Sequence, residues 1–272
     1  MTMPRARRSR LVKQVLAWGV HFYTGLGLVA AAGMAVLIVR GDPAAVRWVF
    51  VLMLVATLID ATDGTLARLV KVKQVLPGFD GRRLDDIIDF LTYTVLPLFL
   101  LWRVQILPAG QEAWLLFPLL ASAYGFCQVS AKTDDGYFLG FPSYWNLVAF
   151  YLYVLHFHVA PLPGWLAVGL LVGLAVLTFV PSRYLYTSQR GPLTKVTNLL
   201  AAVWVVFLAG ILYLLPDGEA PADARLVGLI LGSLFFPLYY LGASWLISCR
   251  LWREERLARP SLPRQHAPEN PA

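Results

Sequence analysis

Long apolar runs, each closed by glycine, proline or charge, dominate the pattern of the chain. They lie at approximately 15–39, 44–69, 84–106, 113–131, 144–160, 164–182, 196–215 and 225–249. Crossing a bilayer core of about 30 Å takes roughly 20 apolar residues in a helix, so each run predicts a transmembrane helix or most of one. The breakers between them are Gly41 and Pro43, Pro77 and Gly78, Pro108 and Gly110, Pro142, Pro161 to Gly164, Gly191 and Pro192, and Pro216 to Pro221. The expected fold is all-α, a polytopic membrane bundle of about eight helices. The first run follows a basic segment, as a signal peptide does, but its length of about 25 residues exceeds the 7–15 of a signal core, so it is read as the first span.

An even number of spans puts both ends on one side, which the basic residues test independently. Lys and Arg collect on cytoplasmic loops. Of the 23 basic residues, only Arg40, Arg47, Arg103 and Arg225 fall on one side. The rest cluster on the other, in groups that include Arg5 to Lys13, Arg68 to Arg83, Arg183 to Lys195 and Arg250 to Arg264. Both termini are therefore expected in the cytoplasm. Residues 1–258 form the integral membrane domain, and the proline-rich stretch 259–272, without apolar periodicity, is expected to be a disordered cytoplasmic tail.

Composition agrees with this picture. In 272 residues, 58% are hydrophobic and 14% charged, with a mean hydropathy of +0.63, too apolar for an ordinary soluble domain. The net charge of +7 is spread in the manner of topology signals, so no nucleic-acid partner is expected. Cys127 and Cys249 form no redox or zinc pattern and are expected to be small core residues. His156, His158 and His266 show no ligand spacing with a nearby acid, and Asp86, Asp134 and Asp135 read as solvated charges.

Acidic residues within spans break the pattern, because each costs roughly 2.5–3.5 kcal/mol at the centre of a membrane helix. Asp60 and Asp63 lie in LIDATDGTLARL near the end of the second run, and Asp85 and Asp89 in GRRLDDIIDF at the start of the third. At about 100° per residue, Asp60, Asp63, Gly64 and Ala67 share one arc of a helix, and Gly81, Asp85 and Asp89 drift by only about 40° per step. Helices joined by a short loop pack as antiparallel neighbours, so the two acidic faces can oppose each other. Carboxylate oxygens suit Mg²⁺ or Mn²⁺. Gly64 and Ala67 leave room for a large ligand, and Arg68 adds a fixed positive charge. Any one aspartate could instead cap a helix or pair with Arg68, Arg82 or Arg83, but that leaves their common facing unexplained.

The series Asp60-x-x-Asp63-Gly64-x-x-Ala67-Arg68 followed by Gly81-x-x-x-Asp85-x-x-x-Asp89 resembles the signature of the CDP-alcohol phosphotransferases. That family commonly has eight residues between the arginine and the second glycine. Here residues 69–80 intervene, a longer gap resembling the family's bacterial phosphatidylcholine synthase branch. HFYTGLG from His21, KTDDGYFLGFPSYWNLVAFYL from Lys132 and, more loosely, FVPSRYLYTSQR from Phe179 extend the resemblance over nearly the whole chain.

The resemblance implies transfer of a phosphatidyl group from CDP-diacylglycerol to choline, releasing CMP, at the cytoplasmic face of the bacterial inner membrane. It implies Asp60, Asp63, Asp85 and Asp89 as ligands of Mn²⁺ or Mg²⁺, with Asp89 also the general base. Asp60, Asp63, Gly64, Ala67, Arg68 and Gly81 would bind the nucleotide. His21 and Thr24 lie on one face of the first run, where they could touch it or be satisfied polar residues inside the bundle. It also implies a homodimer among membrane lipids. A quaternary ammonium is held over aromatic faces, so the segment Tyr137, Phe138, Phe141, Tyr144, Trp145 is a choline candidate, with Tyr144, Trp145 and Asn146 foremost; such aromatics also mark membrane interfaces. Two alternatives stand: another acceptor, such as glycerol phosphate, inositol phosphate or serine, and a divalent-cation transporter, which also needs intramembrane carboxylates.

Overall fold

The computed structural model describes residues 5–129, 136–185, 193–218 and 223–258. Lys132, Asp134, Asp135, Arg190 and the expected tail at 259–272 lie outside these described residues. The chain is an all-α membrane protein. Among the described residues, four helices are long and apolar enough to cross a bilayer: Ser9–Arg40, Ala44–Val70, Thr194–Leu214 and Ala224–Leu257. Within the described residues, the other four apolar runs contain shorter or interrupted helices.

Helix α1 (Arg5–Arg40) packs along α2 (Pro43–Val70) in the most extensive pairing of the fold. Pro43 opens α2 with a preset φ and no amide to leave unsatisfied. Lys71, left-handed at φ 57°, closes it by returning its N–H to the carbonyls of Ala67 and Arg68. Within lipid, helices are held by close packing more than by water exclusion, and small residues let backbones approach. Gly27 and Gly33 serve that purpose on α1: an added Cβ would sit 2.7 Å from Ile88 Cγ2 or 2.9 Å from Leu52 Cδ1.

The long gap after Arg68 folds into a short turn, α3 (Val72–Val75), whose buried Val72 packs on Ala17 and Val20 of α1. Next comes α4 (Gly81–Asp89), capped by Asp80, which accepts from the Arg83 amide at 3.2 Å. A π-helical stretch, Phe90–Val95, joins it without a break to α5 (Leu96–Arg103). A 3₁₀ turn at Glu112–Leu115 leads into α6 (Leu116–Cys127). Then follow α7 (Trp145–His158), α8 (Gly164–Leu177), α9 (Thr194–Leu214), α10 (Ala224–Ser233) and α11 (Phe235–Ala258).

Among the described residues, two large buried clusters form most of the interior. One, around Met34, Ile38, Val49, Val154, Ile211 and Ile230, ties α1 and α2 to α7, α9 and α10. The other gathers Leu101, Trp145 and Leu171 from α5, α7 and α8. Outward positions such as Val29, Leu69, Trp165, Val206 and Leu246 are exposed, an apolar girdle that a lipid environment covers.

The structure alters two expectations. A two-stranded antiparallel ladder interrupts the all-helical plan: β1 (Tyr137–Leu139) pairs with β2 (Arg183–Leu185), Phe138 opposite Tyr184. It is pinned to α11, where Ser248 Oγ accepts from the Arg183 amide at 2.7 Å and Ser244 Oγ from the Leu185 amide at 3.2 Å. Those serines take the inward stripe of α11 and turn the neighbouring Cys249 outward. Cys127 stands at the end of α6, so both cysteines are exposed and neither is a core residue.

Candidate active site

Acidic residues of α2 and α4 meet a turn or more away from the connection between them. One carboxylate oxygen each from Asp60, Asp85 and Asp89 lies within 4.8 Å of the others, and all three side chains are half-buried. Asp89 lies in the field of Asp60 most strongly, then of Asp85, Asp63 and Asp86. Concentrating like charge away from bulk water is costly without a counter-ion. Oxygens on opposite sides of an ion with bonds of about 2.0–2.1 Å are about 4 Å apart, so this trio closes on a small divalent cation with slight side-chain adjustment. The donors, hard carboxylate oxygens, fit such an ion.

Asp63 shares the α2 face but occupies a different niche. It is buried, and Thr24 of α1 donates to its Oδ2 at 2.7 Å. One residue earlier, the hydroxyls of Tyr23 and Thr62 are 2.8 Å apart. Helix α1 thus forms a third wall of the site, which apolar periodicity alone did not place. Gly64 is half-buried, with Arg68 Nη1 3.5 Å from where its Cβ would be, and Ala67 packs on the cluster of Ala17, Val20 and Val72. Arg68 is exposed and donates to Thr65 Oγ1 at 2.9 Å. The neighbouring basic pair has its own acids, Arg82 with Asp86 at 4.0 Å and Arg83 with Asp80 at 3.2 Å.

Gly81 begins α4 against the His21 imidazole, into which an added Cβ would run. Its small size is therefore required by α1 in addition to any ligand.

Tyr93 was not foreseen from sequence. It lies in the π-helical stretch just after Asp89, is 8% exposed, and donates to Asp60 Oδ2 at 2.7 Å. Its position extends the four-residue spacing Asp85, Asp89, Tyr93, a stripe visible in the sequence once the acids are marked. π-helical turns cluster at functional sites because they re-aim one side chain within a continuous helix.

The aromatic segment divides. Tyr144 is half-buried between Tyr93 and Tyr240, with ring centroids 6.3 and 5.9 Å away. Trp145 is enclosed, fully buried against Phe141, with its indole N–H on Ser122 Oγ at 2.6 Å. Asn146 is buried and donates to Thr57 Oγ1 at 3.2 Å, tying α7 to α2 one turn before Asp60. Tyr137 and Phe138 lie in the ladder, and Arg183 reaches Glu255 of α11 at 3.0 Å. Two of the three outlying segments of the sequence resemblance, those from Lys132 and Phe179, therefore pair with one another.

No protein-family model matches the chain. Individual proteins do. It is 33% identical over 247 residues to the phosphatidylcholine synthase of Pseudomonas aeruginosa, covering 90% of this chain and 94% of that protein. The chain belongs to the phosphatidylcholine synthase family. It is also 31% identical over 250 residues to the phosphatidylcholine synthase of Brucella melitensis, covering 90% and 85% of the two chains. With that of Legionella pneumophila it shares 39% identity over 181 residues, 66% and 68% of the two chains.

Proposed function

We propose that this family member transfers the phosphatidyl group of CDP-diacylglycerol to choline, giving phosphatidylcholine and CMP. The observation that carries the proposal is the convergence of Asp60, Asp85 and Asp89 within 4.8 Å on two adjacent helices, in a chain whose relatives are phosphatidylcholine synthases.

In this reading Asp60, Asp63, Asp85 and Asp89 hold Mg²⁺ or Mn²⁺, Asp63 contributing from its Thr24-bonded position. One or two such ions, when bound, neutralise charge on the pyrophosphate oxygens. Gly64 leaves space for the nucleotide on the hairpin, bordered by Ala67 and by Gly81 with its His21 neighbour; Asp60 and Asp63 contact it, and Arg68 supplies a positive charge beside its phosphates. Asp89 takes the proton from the choline hydroxyl as that oxygen bonds to the phosphorus bearing diacylglycerol. The bond from that phosphorus to the CMP oxygen breaks, CMP leaves with the electron pair, and Asp89 passes the proton to water.

Choline carries its charge on a group without hydrogen-bond donors, which favours aromatic faces. Tyr144 is the candidate contact, with Trp145 and Asn146 fixing the start of α7 behind it. The finer topology belongs to the same proposal: about eight spans, both termini and the site on the cytoplasmic side of a bacterial inner membrane, a homodimer, and diacylglycerol chains left in lipid.

The test is purified protein with CDP-diacylglycerol, either divalent ion, and labelled choline, glycerol phosphate, inositol phosphate or serine in parallel. Labelled lipid and CMP are expected with choline alone. Transfer to a different acceptor, or none to choline, refutes the assignment.

A further inference from the structure

His21 is a buried polar group left without a use by the reaction as described. Its side chain is 8% exposed, and its Nε2 is buried with no hydrogen-bond partner among the described residues. A buried donor or acceptor left unpaired is destabilising, so such atoms mark places where a partner arrives. The ring is held on three sides. Phe79 stacks obliquely at 4.4 Å between centroids, Trp18 meets it edge-on at 5.7 Å, and Gly81 supplies the gap into which its edge fits. Nε2 is 3.6 Å from where a Cβ of Gly81 would stand.

Its position relative to the carboxylates identifies the chemistry it would meet. On α1 it precedes Thr24, the donor to Asp63, by three residues, about 4.5 Å of rise. On α4 the glycine it touches precedes Asp85 by four, about 6 Å. His21 therefore lies one helical turn beyond the acidic group on both helices. A pyrophosphate at the carboxylates places the attached nucleoside about that far away. A neutral imidazole nitrogen donates or accepts according to tautomer, which matches the hydroxyls of a ribose and the polar edge of a pyrimidine.

We propose that His21 Nε2 hydrogen-bonds the nucleoside half of the nucleotide donor, in a niche formed by Trp18, Phe79 and Gly81. This rests on the function proposed above and extends it to a residue outside the acidic signature. The long gap between Arg68 and Gly81 then has a purpose, since it brings Phe79 onto the imidazole.

The experiment compares wild type with His21→Phe, which keeps a ring against Gly81 but has no nitrogen, and His21→Gln, which restores a polar end. CMP and inorganic pyrophosphate are used as competitors of CDP-diacylglycerol turnover, and CMP binding is measured directly by ligand-induced thermal stabilisation in Mg²⁺. His21→Phe should weaken CMP about 10-fold, leave pyrophosphate inhibition and the KM for choline unchanged, and recover part of the loss in His21→Gln. Unchanged CMP affinity in His21→Phe overturns the proposal, as does equal weakening of CMP and pyrophosphate. Should neither variant fold, a structure of the wild type with CMP and Mg²⁺ decides: Nε2 within hydrogen-bonding distance of ribose or base supports it, and Nε2 on water alone refutes it. A wild type that binds CMP through His21 yet transfers nothing to choline refutes the function reading and leaves this one standing.

Discussion

The two ends of α2 treat charge in opposite ways. Near its start, Arg47 forms an ion pair with Asp217 at 2.9 Å and donates to the Leu215 carbonyl at 3.1 Å. Thirteen residues on, about 20 Å along the helix, Asp60 and Asp63 accept from hydroxyls, Tyr93 on one and Thr24 on the other. A cation beside an anion cancels its charge; a hydroxyl orients a carboxylate and leaves its charge in place. The first arrangement fastens the 215–217 segment to α2. The second, in the proposed function, holds carboxylates in the hairpin for a cation and a phosphate.

This contrast is broken most directly at Asp89. Replacement by Asn keeps the shape and removes the charge and the proton acceptor. Activity should fall by about 10²–10⁴, measured as CMP release from CDP-diacylglycerol and choline, with helical content unchanged. Retention of more than a tenth of the activity would remove Asp89 from the base role. Asp85→Asn tests the cation itself. Loss of one carboxylate from the trio should weaken Mn²⁺ binding, read by the electron paramagnetic resonance of the free ion, by more than about 100-fold, exceeding the 10–100-fold for a supporting partner. Unchanged Mn²⁺ affinity would show that the acids are packed together for another reason.

Tyr93→Phe converts one hydroxyl-held carboxylate into one without that bond. The ring and its contact with Tyr144 survive, so packing changes little. The metal activation constant should rise by about 10-fold, and excess metal should restore much of the turnover, as expected for a partner that orients a ligand without being one. Loss of turnover that excess metal cannot restore would give the tyrosine a different part.

Half of this site was legible in the sequence, because helical periodicity is a local rule. Asp60 with Asp63, and Asp85 with Asp89, follow from spacing alone, as does the approach of the two acidic faces. Contacts made by a third helix do not follow, since nothing local states which residue of α1 faces which residue of α2. Thus Thr24 and His21 could be marked as polar residues on one face, while their partners, Asp63 and Gly81, emerge only from packing. Tyr93 was hidden by its own chemistry, an interface-type aromatic within an apolar run, although it continued the stripe of Asp85 and Asp89. Trp145 shows the reverse: aromatic composition pointed to ligand contact, and the fold encloses its ring against Phe141 and Ser122. The β1–β2 ladder escaped notice because three-residue strands carry too little alternation to register.

The smallest expected effect lies at the other end of α2, where the comparison began. Asp217 is 57% exposed and Arg47 29% exposed, and exposed pairs contribute about 0–1 kcal/mol. Asp217→Ala should therefore lower thermal stability slightly and leave metal affinity, choline KM and turnover as in the wild type. Arg47 would keep its bond to the Leu215 carbonyl, which limits the loss further. A change in turnover at full occupancy by this substitution would mean that the two ends of α2 are coupled through the helix. The ion pair would then be part of the catalytic machinery in addition to fastening the chain.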